Sequence, residues 1–384
     1  MRKPITIGDL GTIITGKTPP TTNKNYYGDY AVFIKPTDIS EQCKFTYETE
    51  EMYSKLAAEK YESSLIPKGA ICVPCIGTIG TKMTMAPCDC YTNQSINSIV
   101  CNDRYDNEYV YYLIKNFLPG LKSYNLGTAS GREYVSKSNF EKIELVAEQD
   151  KTIQKKIGEF LSRYDSLIEN YQKQIKLLEE AAQRLYKEWF VDLHFPGHEN
   201  TKIVDGVPEG WEKKKLVEIA ELKAGGDKPE IVSAKRTNEC SVPVFSNGTT
   251  NEGLYGYTNL PVILEQSVTI SARGSVGYTV FRRTPFVPIV RLISVTPHNI
   301  YVGYIFYCLK STTLDCNGAA QQQITIPMIR NKEITIPSKG ILGLFESQTE
   351  PIFNQIDILK ELISLLTEAR DRLLPKLMSG EIEI

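Results

Sequence analysis

The 384-residue sequence lacks most of the parts from which common enzyme sites are built. Histidine occurs only three times, at His194, His198 and His298, which leaves little material for a serine or cysteine triad. The chain has no Gly-x-Ser-x-Gly motif, no Gly-x-Gly-x-x-Gly fingerprint opening a helix and no [Asp/Asn]-Pro-Pro-[Tyr/Phe] tetrapeptide. These absences argue against hydrolase, dinucleotide-binding and adenine-methylating sites. We therefore expect a non-catalytic binding protein with no cofactor and no metal in this chain.

The sequence also lacks a long apolar run and a leader-like beginning. No stretch approaches the roughly 18–20 apolar residues of a membrane-spanning helix, and no apolar segment follows Met1 directly. The nine cysteines are odd in number and scattered, which is typical of reduced thiols rather than of a disulfide framework. We expect a cytoplasmic protein with no membrane partner.

Charge of one sign is not in excess, because 44 Lys and Arg face 46 Asp and Glu. The distribution is less even than the sum. Residues 201–340 carry 16 basic and 12 acidic side chains, whereas residues 341–384 carry 4 and 8. A mildly basic block is compatible with nucleic-acid binding by one face, but composition alone does not predict it.

Short motifs occur in the same order in the two halves of the chain. The matching pairs are Ile7–Leu10 with Leu216–Ile219, Gly16–Pro19 with Gly226–Pro229, Gly77–Gly80 with Gly274–Gly277, and Tyr109–Leu113 with Tyr301–Ile305. From the Gly16–Pro19 pair onward the separation shrinks, from 210 to 197 and then 192 residues, as it would if the second copy had lost loop residues. Such a co-linear series indicates an internal duplication.

Each half ends in a long heptad seam. Apolar or aromatic residues recur at steps of three and four from Ile153 to Trp189, and no proline interrupts them. A second seam runs from Ile352 to Leu377, and we expect Pro351 to lie in its first turn and Gly380 to end it. Two such seams at matching places predict two long helices that pack on each other.

The residues before each seam predict a domain of mixed structure. Short strand-like runs, such as 70–73 and 262–264, alternate with Gly, Pro and Asn, and short helices are predicted at 107–117 and 299–310. The predicted fold class is α+β: two similar α/β domains joined by two long antiparallel coiled-coil helices, in a pseudo-two-fold repeat. The predicted bounds are 1–148 and 211–340 for the domains, 149–192 and 341–384 for the helical regions, and 193–210 for a linker.

Two motifs resemble chemical sites but lack the necessary context. Gly11–Thr18 matches the P-loop pattern, yet Pro19-Pro20 and a polar run follow it, where a phosphate-binding loop needs a helix. The cysteine pairs Cys72/Cys75 and Cys88/Cys90 could supply four thiolates to zinc. Residues i and i+3 of a strand face opposite ways, however, and the second half has no counterpart, so buried free thiols are the expectation.

The repeat resembles the specificity (S) subunits of type I restriction–modification systems, over nearly all of the chain. The residues that carry the resemblance are Ile7–Leu10 with Gly16–Pro19, the Gly77–Gly80 and Gly274–Gly277 turns, Ala147–Gln149 leading into Ile157–Ser162 and Asp165–Ile168, and the C-terminal Arg372–Ile382. The segment Phe345–Pro351 departs from the usual form of the second helical junction. Each motif is loosely specific, whereas their order and duplication are strongly so.

The resemblance implies a non-catalytic subunit with two target recognition domains that read a split target in double-stranded DNA. It also implies two modification (methyltransferase) subunits, which use S-adenosylmethionine, and a restriction subunit, which uses ATP for translocation and cleavage. In such a complex the two domains would each read one half-site, and the helices would set the distance between them.

Base recognition requires hydrogen-bonding side chains on loops that can enter a groove of DNA. The candidates are Lys17, Thr18, Thr78, Lys82 and Arg132 in the first domain, and Asn247, Arg273, Ser275, Gln321 and Gln322 in the second. The alternative for each is a solvated loop residue or a turn former. Because the Gly-x-x-Gly turns occur in both copies, they could serve the shared fold instead of the differing targets.

Two other classes of protein stay open from the residues alone. One is a nuclease or ATPase with an unrecognised motif, which activity of the purified chain would reveal. The other is a coiled-coil interaction protein that binds no nucleic acid, for which the two seams are the evidence.

Overall fold

The computed structural model describes residues 1–127, 131–312 and 323–384. The chain divides into two compact units, Met1–Gln174 with Leu359–Ile384 and Ile175–Ile358. These boundaries fall inside two long helices, so each unit contains one domain and part of both helices. Within the described ranges, no helix combines the length and the hydropathy needed to cross a membrane.

The first unit alternates short strands with short helices before the first long helix. Its elements are β1 (Arg2–Thr6), α1 (Ile7–Leu10), β2 (Gly11–Thr15), β3 (Tyr27–Gly28), β4 (Ala31–Ile34), β5 (Met52–Tyr53), α2 (Lys55–Lys60), β6 (Ile71–Pro74), β7 (Ile76–Gly77), β8 (Thr84–Met85), β9 (Tyr91–Thr92), β10 (Ile96–Cys101), α3 (Asn107–Phe117), β11 (Glu133–Tyr134), α4 (Lys137–Glu141) and β12 (Glu144–Glu148). The long helix α5 (Lys151–Tyr186) follows, and a π-turn at Lys187–Val191 ends it.

The main sheet of this unit is antiparallel, with the strand order β2-β10-β6-β8. The helix α3 packs in the same core through Tyr109 and Tyr112, which are fully buried. Asp106 caps the start of α3, because its carboxylate accepts a hydrogen bond from Tyr109 N at 3.1 Å. A smaller sheet, β3-β5-β4-β9, surrounds the stacked rings of Tyr53 and Tyr91.

The second unit repeats this sequence of elements with fewer strands. After the hairpin strands β13 (Ile203–Val204) and β14 (Val207–Pro208) come β15 (Glu212–Lys215), α6 (Leu216–Ile219), β16 (Ala220–Ala224), β17 (Val242–Phe245), β18 (Leu254–Thr258), β19 (Ser267–Ile270), β20 (Thr279–Arg282), β21 (Val287–Pro288), β22 (Ile293–Pro297), α7 (Val302–Ser311), α8 (Ile326–Ile329), β23 (Glu333–Ile336) and the long helix α9 (Lys339–Ser379). Its main sheet is antiparallel, with the order β16-β22-β19-β20.

The predicted internal duplication is confirmed, because the two domains share one topology. In both, a first strand pairs with the last strand of the domain (β1 with β12, β15 with β23), and a one-turn helix leads into the edge strand of a four-stranded sheet. The predicted helix 107–117 is confirmed as α3, and the predicted helix 299–310 is confirmed as α7 with bounds Val302–Ser311.

In the first unit, the long helices pack antiparallel. Arg2 contacts Glu148, just before α5, and also donates to the carbonyls of Leu377 and Met378 near the end of α9, each at 2.9 Å. Further along α5, Asp165 forms a buried ion pair with Arg370, which lies earlier in α9. The start of α5 therefore lies beside the end of α9.

In the second unit, an aromatic cluster joins the ends of the helices to the domain. Phe190, in the π-turn after α5, lies 4.9 Å from Phe345 of α9 and 4.8 Å from Tyr304 of α7, measured between ring centroids. Tyr186 stacks on Tyr307 of α7 at 5.6 Å. The domain is thus fixed to both helices by large aromatic rings, which are buried except for the half-buried Phe190.

The expectation that Pro351 lies in the first turn of the second helix is wrong. The helix α9 begins at Lys339, more than three turns earlier, because burial of Phe345 and a hydrogen bond from Thr349 Oγ1 to its carbonyl extend the helix upstream. Proline leaves the carbonyl four residues before it without a helical donor, and that residue, Ser347, is exposed to water. The predicted end is confirmed: Gly380, with φ +82°, follows the last helical residue.

Candidate nucleic-acid interface

The polar loops of the first domain meet at one end of its main sheet, beside the termini of three neighbouring strands. Because β2, β10 and β6 are antiparallel neighbours, the end of β2, the start of β10 and the end of β6 lie at one edge of the sheet. Gly16 N donates to Ile96 O at 3.2 Å, and Cys75 N donates to Ser95 O at 2.7 Å. We name this edge loop edge 1 and define it by residues 16–18, 77–82, 93–95 and 131–132.

Lys17 and Thr18 lie in the extended segment that follows β2. The backbone of Lys17 is fixed on both sides, since its N–H donates to Thr92 O at 2.9 Å and its carbonyl accepts from the Tyr53 hydroxyl. The Lys17 side chain is exposed, with Nζ 3.5 Å from Ser63 Oγ. Thr18 Oγ1 donates to Oε1 of Gln94, an exposed residue in the turn before β10.

The turn Gly77–Gly80 presents Thr78 to solvent. Both of its glycines have positive φ (+95° and +74°), which disfavours any side chain at these positions, and Ile79 is fully buried beneath them. Gly77 pairs with Glu133, whose carboxylate accepts from Ile79 N at 3.1 Å. The exposed Arg132 therefore lies beside this turn, and the half-buried Lys82 follows it.

The second domain has the same arrangement, which we name loop edge 2 and define by residues 225–226, 271–277 and 289–292. Gly225 N donates to Leu292 O at 2.8 Å, and Arg291 N donates to Gly225 O at 2.9 Å. Arg273 and Ser275 are exposed in the turn Ala272–Gly277, and Gly274 and Gly277 again have positive φ (+67° and +82°).

Asn247 links two parts of loop edge 2. Its Nδ2 donates to Val290 O at 2.6 Å, and its Oδ1 accepts from Ala272 N at 2.7 Å. The side-chain amide is therefore engaged with backbone on both sides. Gln321 and Gln322 lie outside the described residues. Ile324, just after them, donates from its N–H to Ala272 O at 3.1 Å, as Val135 does to Cys75 O in the first domain.

Sequence reasoning missed two exposed side chains at these edges, Gln94 and Arg291. Each lies in a tight turn that leads into a central strand: Ile96 N donates to Asn93 O, and Leu292 N donates to Ile289 O, both at 3.1 Å. No motif repeats at these turns, so inspection of the motifs does not single them out. An alignment of the two copies on their matched strands would have placed Gln94 and Arg291 in equivalent turns.

The cysteine cluster has the character of buried thiols. Burial raises the pKa of the Cys72 and Cys75 thiols to about 12, so both are protonated near neutral pH and neither is a thiolate ready to bind metal. Within the described part of the chain, no group of three or more His, Cys, Asp or Glu side chains is arranged to hold a metal ion. The P-loop-like Gly11–Thr18 forms β2 and an extended segment, and no helix follows it directly.

Known proteins resemble this chain along most of its length. Residues 3–180 and 208–370 match the family described as "Type I restriction modification DNA specificity domain". The chain is 28% identical over 405 residues to the type I restriction enzyme MjaIX specificity subunit of Methanocaldococcus jannaschii, covering 98% of this chain and 93% of that protein. It is 38% identical over 158 residues to the HindI specificity subunit of Haemophilus influenzae, covering 39% and 33% of the two chains.

The fold is similar to the crystal structure of the type I restriction–modification S subunit from M. genitalium. The TM-score is 0.60 with 18% identity, and the match covers 98% of this chain and 96% of that one. This likeness establishes a common fold, and the sequence match over more than half of the chain establishes the family. The chain therefore belongs to the family of type I restriction–modification specificity subunits, which are the non-catalytic subunits of these systems.

Proposed function

We propose that this protein is the DNA sequence-recognition subunit of a type I restriction–modification complex. Each domain reads one half-site of a bipartite double-stranded target through its loop edge. The observation that carries this proposal is the duplication of one exposed loop edge on two domains, with the same frame and different side chains. A shared frame fixes position on DNA, whereas differing side chains allow differing sequences to be read.

The chemistry of both edges suits a groove of DNA. Loop edge 1 offers the Lys17 and Arg132 cations with the Thr78 hydroxyl and the Gln94 amide, and loop edge 2 offers Arg273, Ser275 and Arg291. Lysine and serine side chains contact phosphates, while Gln and Arg can form paired hydrogen bonds with adenine and guanine edges.

We propose further that the long helices set the spacing between the half-sites. Each domain is packed against the helices. In the first unit the Tyr112 hydroxyl donates to Asp165 of the Asp165–Arg370 pair, and in the second unit the Tyr304 ring contacts Phe190. A domain held at several points along a helix pair moves with that pair. Helices are also stiff on the scale of a few base pairs, which loops are not.

The same helices are the proposed docking sites for the two modification subunits. Large apolar side chains remain exposed on their outer faces; examples are Leu167 at 42%, Leu177 at 64%, Ile358 at 52% and Leu365 at 55% of their full accessible surface. Contiguous exposed apolar patches mark surfaces that a partner covers, and these side chains would supply apolar contact area to such a surface. The modification subunits would bind S-adenosylmethionine as the methyl donor, and the restriction subunit would hydrolyse ATP.

The test is reconstitution of this chain with modification subunits of a type I restriction–modification system, followed by sequencing of methylated sites on genomic DNA. The expected result is methylation at one bipartite sequence, which requires both this chain and the modification subunits. Methylation by the modification subunits alone at the same sites would contradict the proposal. So would methylation at a single continuous site.

A further inference from the structure

Resting on the proposed DNA-reading function, we infer that Arg291 is a specificity-determining residue that reads a guanine in the half-site of the second domain. Asn247 is its positioning residue. One side chain of loop edge 2 is thereby assigned to one type of base. The turn Ile289–Leu292 carries this side chain on a strained backbone, which hydrogen bonds hold in place.

The turn before β22 has a backbone that its residues disfavour. Its two central residues, Val290 and Arg291, both have positive φ (+54° and +62°). Turns with positive φ at both central positions are dominated by Gly, Asn and Asp, and a β-branched residue there is a rare outlier. Such strained residues persist only where the surroundings impose them, and they concentrate at functional sites.

Three hydrogen bonds impose this conformation. Val290 N donates to Gly226 O at 2.8 Å and Arg291 N donates to Gly225 O at 2.9 Å, which tie the turn to the end of β16. Asn247 Nδ2 donates to Val290 O at 2.6 Å from the other side. The turn is thus held from both flanks, while the side chains of Val290 and Arg291 remain exposed.

The first domain shows what Asn247 changes. There the end of β6 bonds directly to the equivalent turn, through Cys75 N and Ser95 O at 2.7 Å. In the second domain the side-chain amide of Asn247 bridges the end of β19 and the turn, since it accepts from Ala272 N at 2.7 Å and donates to Val290 O. The turn Asn93–Ile96, which has the direct bond, has no residue with positive φ. The inserted amide therefore accompanies the strained turn that carries Arg291.

An arginine presented on a backbone fixed in this way matches guanine better than any other base. Its planar fork can donate two parallel hydrogen bonds to O6 and N7 of guanine in the major groove, which is the commonest specific contact of proteins with DNA. A mobile arginine would serve equally well as a phosphate contact, which carries no sequence information. A turn that is strained and braced on both sides favours the first role over the second.

The experiment measures methylated sites and the methylation rate for each base at each position, in the reconstituted complex. Arg291→Ala is expected to lower the preference for guanine at one base pair of the second half-site by about 5- to 150-fold. Arg291→Lys keeps the charge but loses the fork, so we expect the same loss of preference with nearly unchanged total methylation. Arg236→Ala, which removes another exposed arginine of the same unit, serves as the matched control and should leave the preference unchanged.

Asn247 is tested by coupling. Asn247→Ala should weaken the preference for guanine at the same base pair as Arg291→Ala does. The double variant should weaken this preference no further than Arg291→Ala alone. A purely structural role for Asn247 would lower methylation at all positions alike and would add to the effect of Arg291→Ala, which would overturn its assignment.

Two further results would overturn the inference, and they differ from failure of the proposed function. If Arg291→Ala weakens methylation uniformly, Arg291 is a phosphate contact and the DNA-reading function still stands. If Arg291→Lys keeps the full preference for guanine, the guanidinium fork is not what selects the base, so the assignment fails while the DNA-reading function still stands. If the unaltered complex methylates no bipartite sequence, the proposed function itself fails and this assignment fails with it.

Discussion

At the scale of single residues, a buried ion pair ties the first domain to the helices. Asp165 of α5 accepts hydrogen bonds from Arg370 of α9 and from the hydroxyl of Tyr112 in α3, and both charged side chains are buried. Burial and the neighbouring Asp165 raise the pKa of Tyr112, so its hydroxyl stays protonated and donates. One carboxylate thus joins three helices.

Removing the arginine of this pair should be costly. Arg370→Met leaves the Asp165 charge buried without its partner, so we expect the free energy of unfolding to fall by about 3–5 kcal/mol. The matched control is Arg372→Met, because Arg372 is 78% exposed and pairs with Glu368 one turn away. Its loss should cost less than about 1 kcal/mol. Equal effects of the two variants in urea unfolding would contradict the structural role given to Asp165 and Arg370.

Positive φ in the repeated turns makes a separate prediction. An added Cβ at Gly274 meets no atom within 4 Å, so Gly274→Ala should destabilise only through its backbone, by about 1–2 kcal/mol. Gly343 of α9 also has open space around it but lies in a helix, so Gly343→Ala should stabilise by about 0.5–1 kcal/mol. Thermal unfolding of both variants checks the opposite signs. An unchanged or raised melting temperature for Gly274→Ala would show that the turn does not depend on glycine.

The sequence predicted part of the candidate site, and the missing part has a physical cause. Thr78 and Arg132 were selected from motifs and loops, and the structure brings them together through the pairing of β7 with β11. Gln94 and Arg291 were missed because their place depends on strand order, which motif inspection does not provide. Asn247 was selected as a base reader, yet its amide bonds to Val290 and Ala272 could emerge only from tertiary structure.

At the scale of elements, long periodic patterns were the easiest to predict. The seams predicted α5 and α9, and the short helix predicted at 107–117 matches the bounds of α3. The start of α9 was wrong because a local rule for proline was outweighed by burial of Phe345 in the core of the second unit. Strands of only two residues, such as β7 and β11, depend on their partners and leave almost no local signal.

The helices provide a test of the proposed spacing mechanism. Inserting four residues after Gln174 in α5 and four after Ile358 in α9 places both insertions at the boundaries of the units, so the contacts inside each unit are kept. The insertion adds about 6 Å, close to two base pairs, and rotates the helix by only about 40°. We expect methylation at the same half-sites with a longer gap, measured by sequencing of methylated sites.

A two-residue insertion at the same places is the control. It turns the helices by about 200° and should abolish methylation at the bipartite sequence. An active four-residue variant that retains the original gap would show that the partner subunits, and not these helices, set the spacing.

At the scale of the whole molecule, the family assignment predicts that the chain is inert by itself. The purified protein should neither hydrolyse ATP nor methylate or cut DNA when it is supplied with ATP, S-adenosylmethionine and Mg²⁺. The sharpest control is Lys17→Ala, because Lys17 belongs to the P-loop-like Gly11–Thr18. ATP hydrolysis that Lys17→Ala abolishes would contradict the family assignment and identify this segment as the nucleotide site.

The most direct test of the central claim exchanges one domain and leaves the other in place. Residues 208–338 are replaced by the corresponding segment of another specificity subunit with a known target, and the sites methylated by the reconstituted complex are sequenced. If each domain reads one half-site, the half-site of the second domain changes to the donor's, while the other half-site and the gap stay as they were. A change in both half-sites, or in neither, would contradict recognition by one domain per half-site.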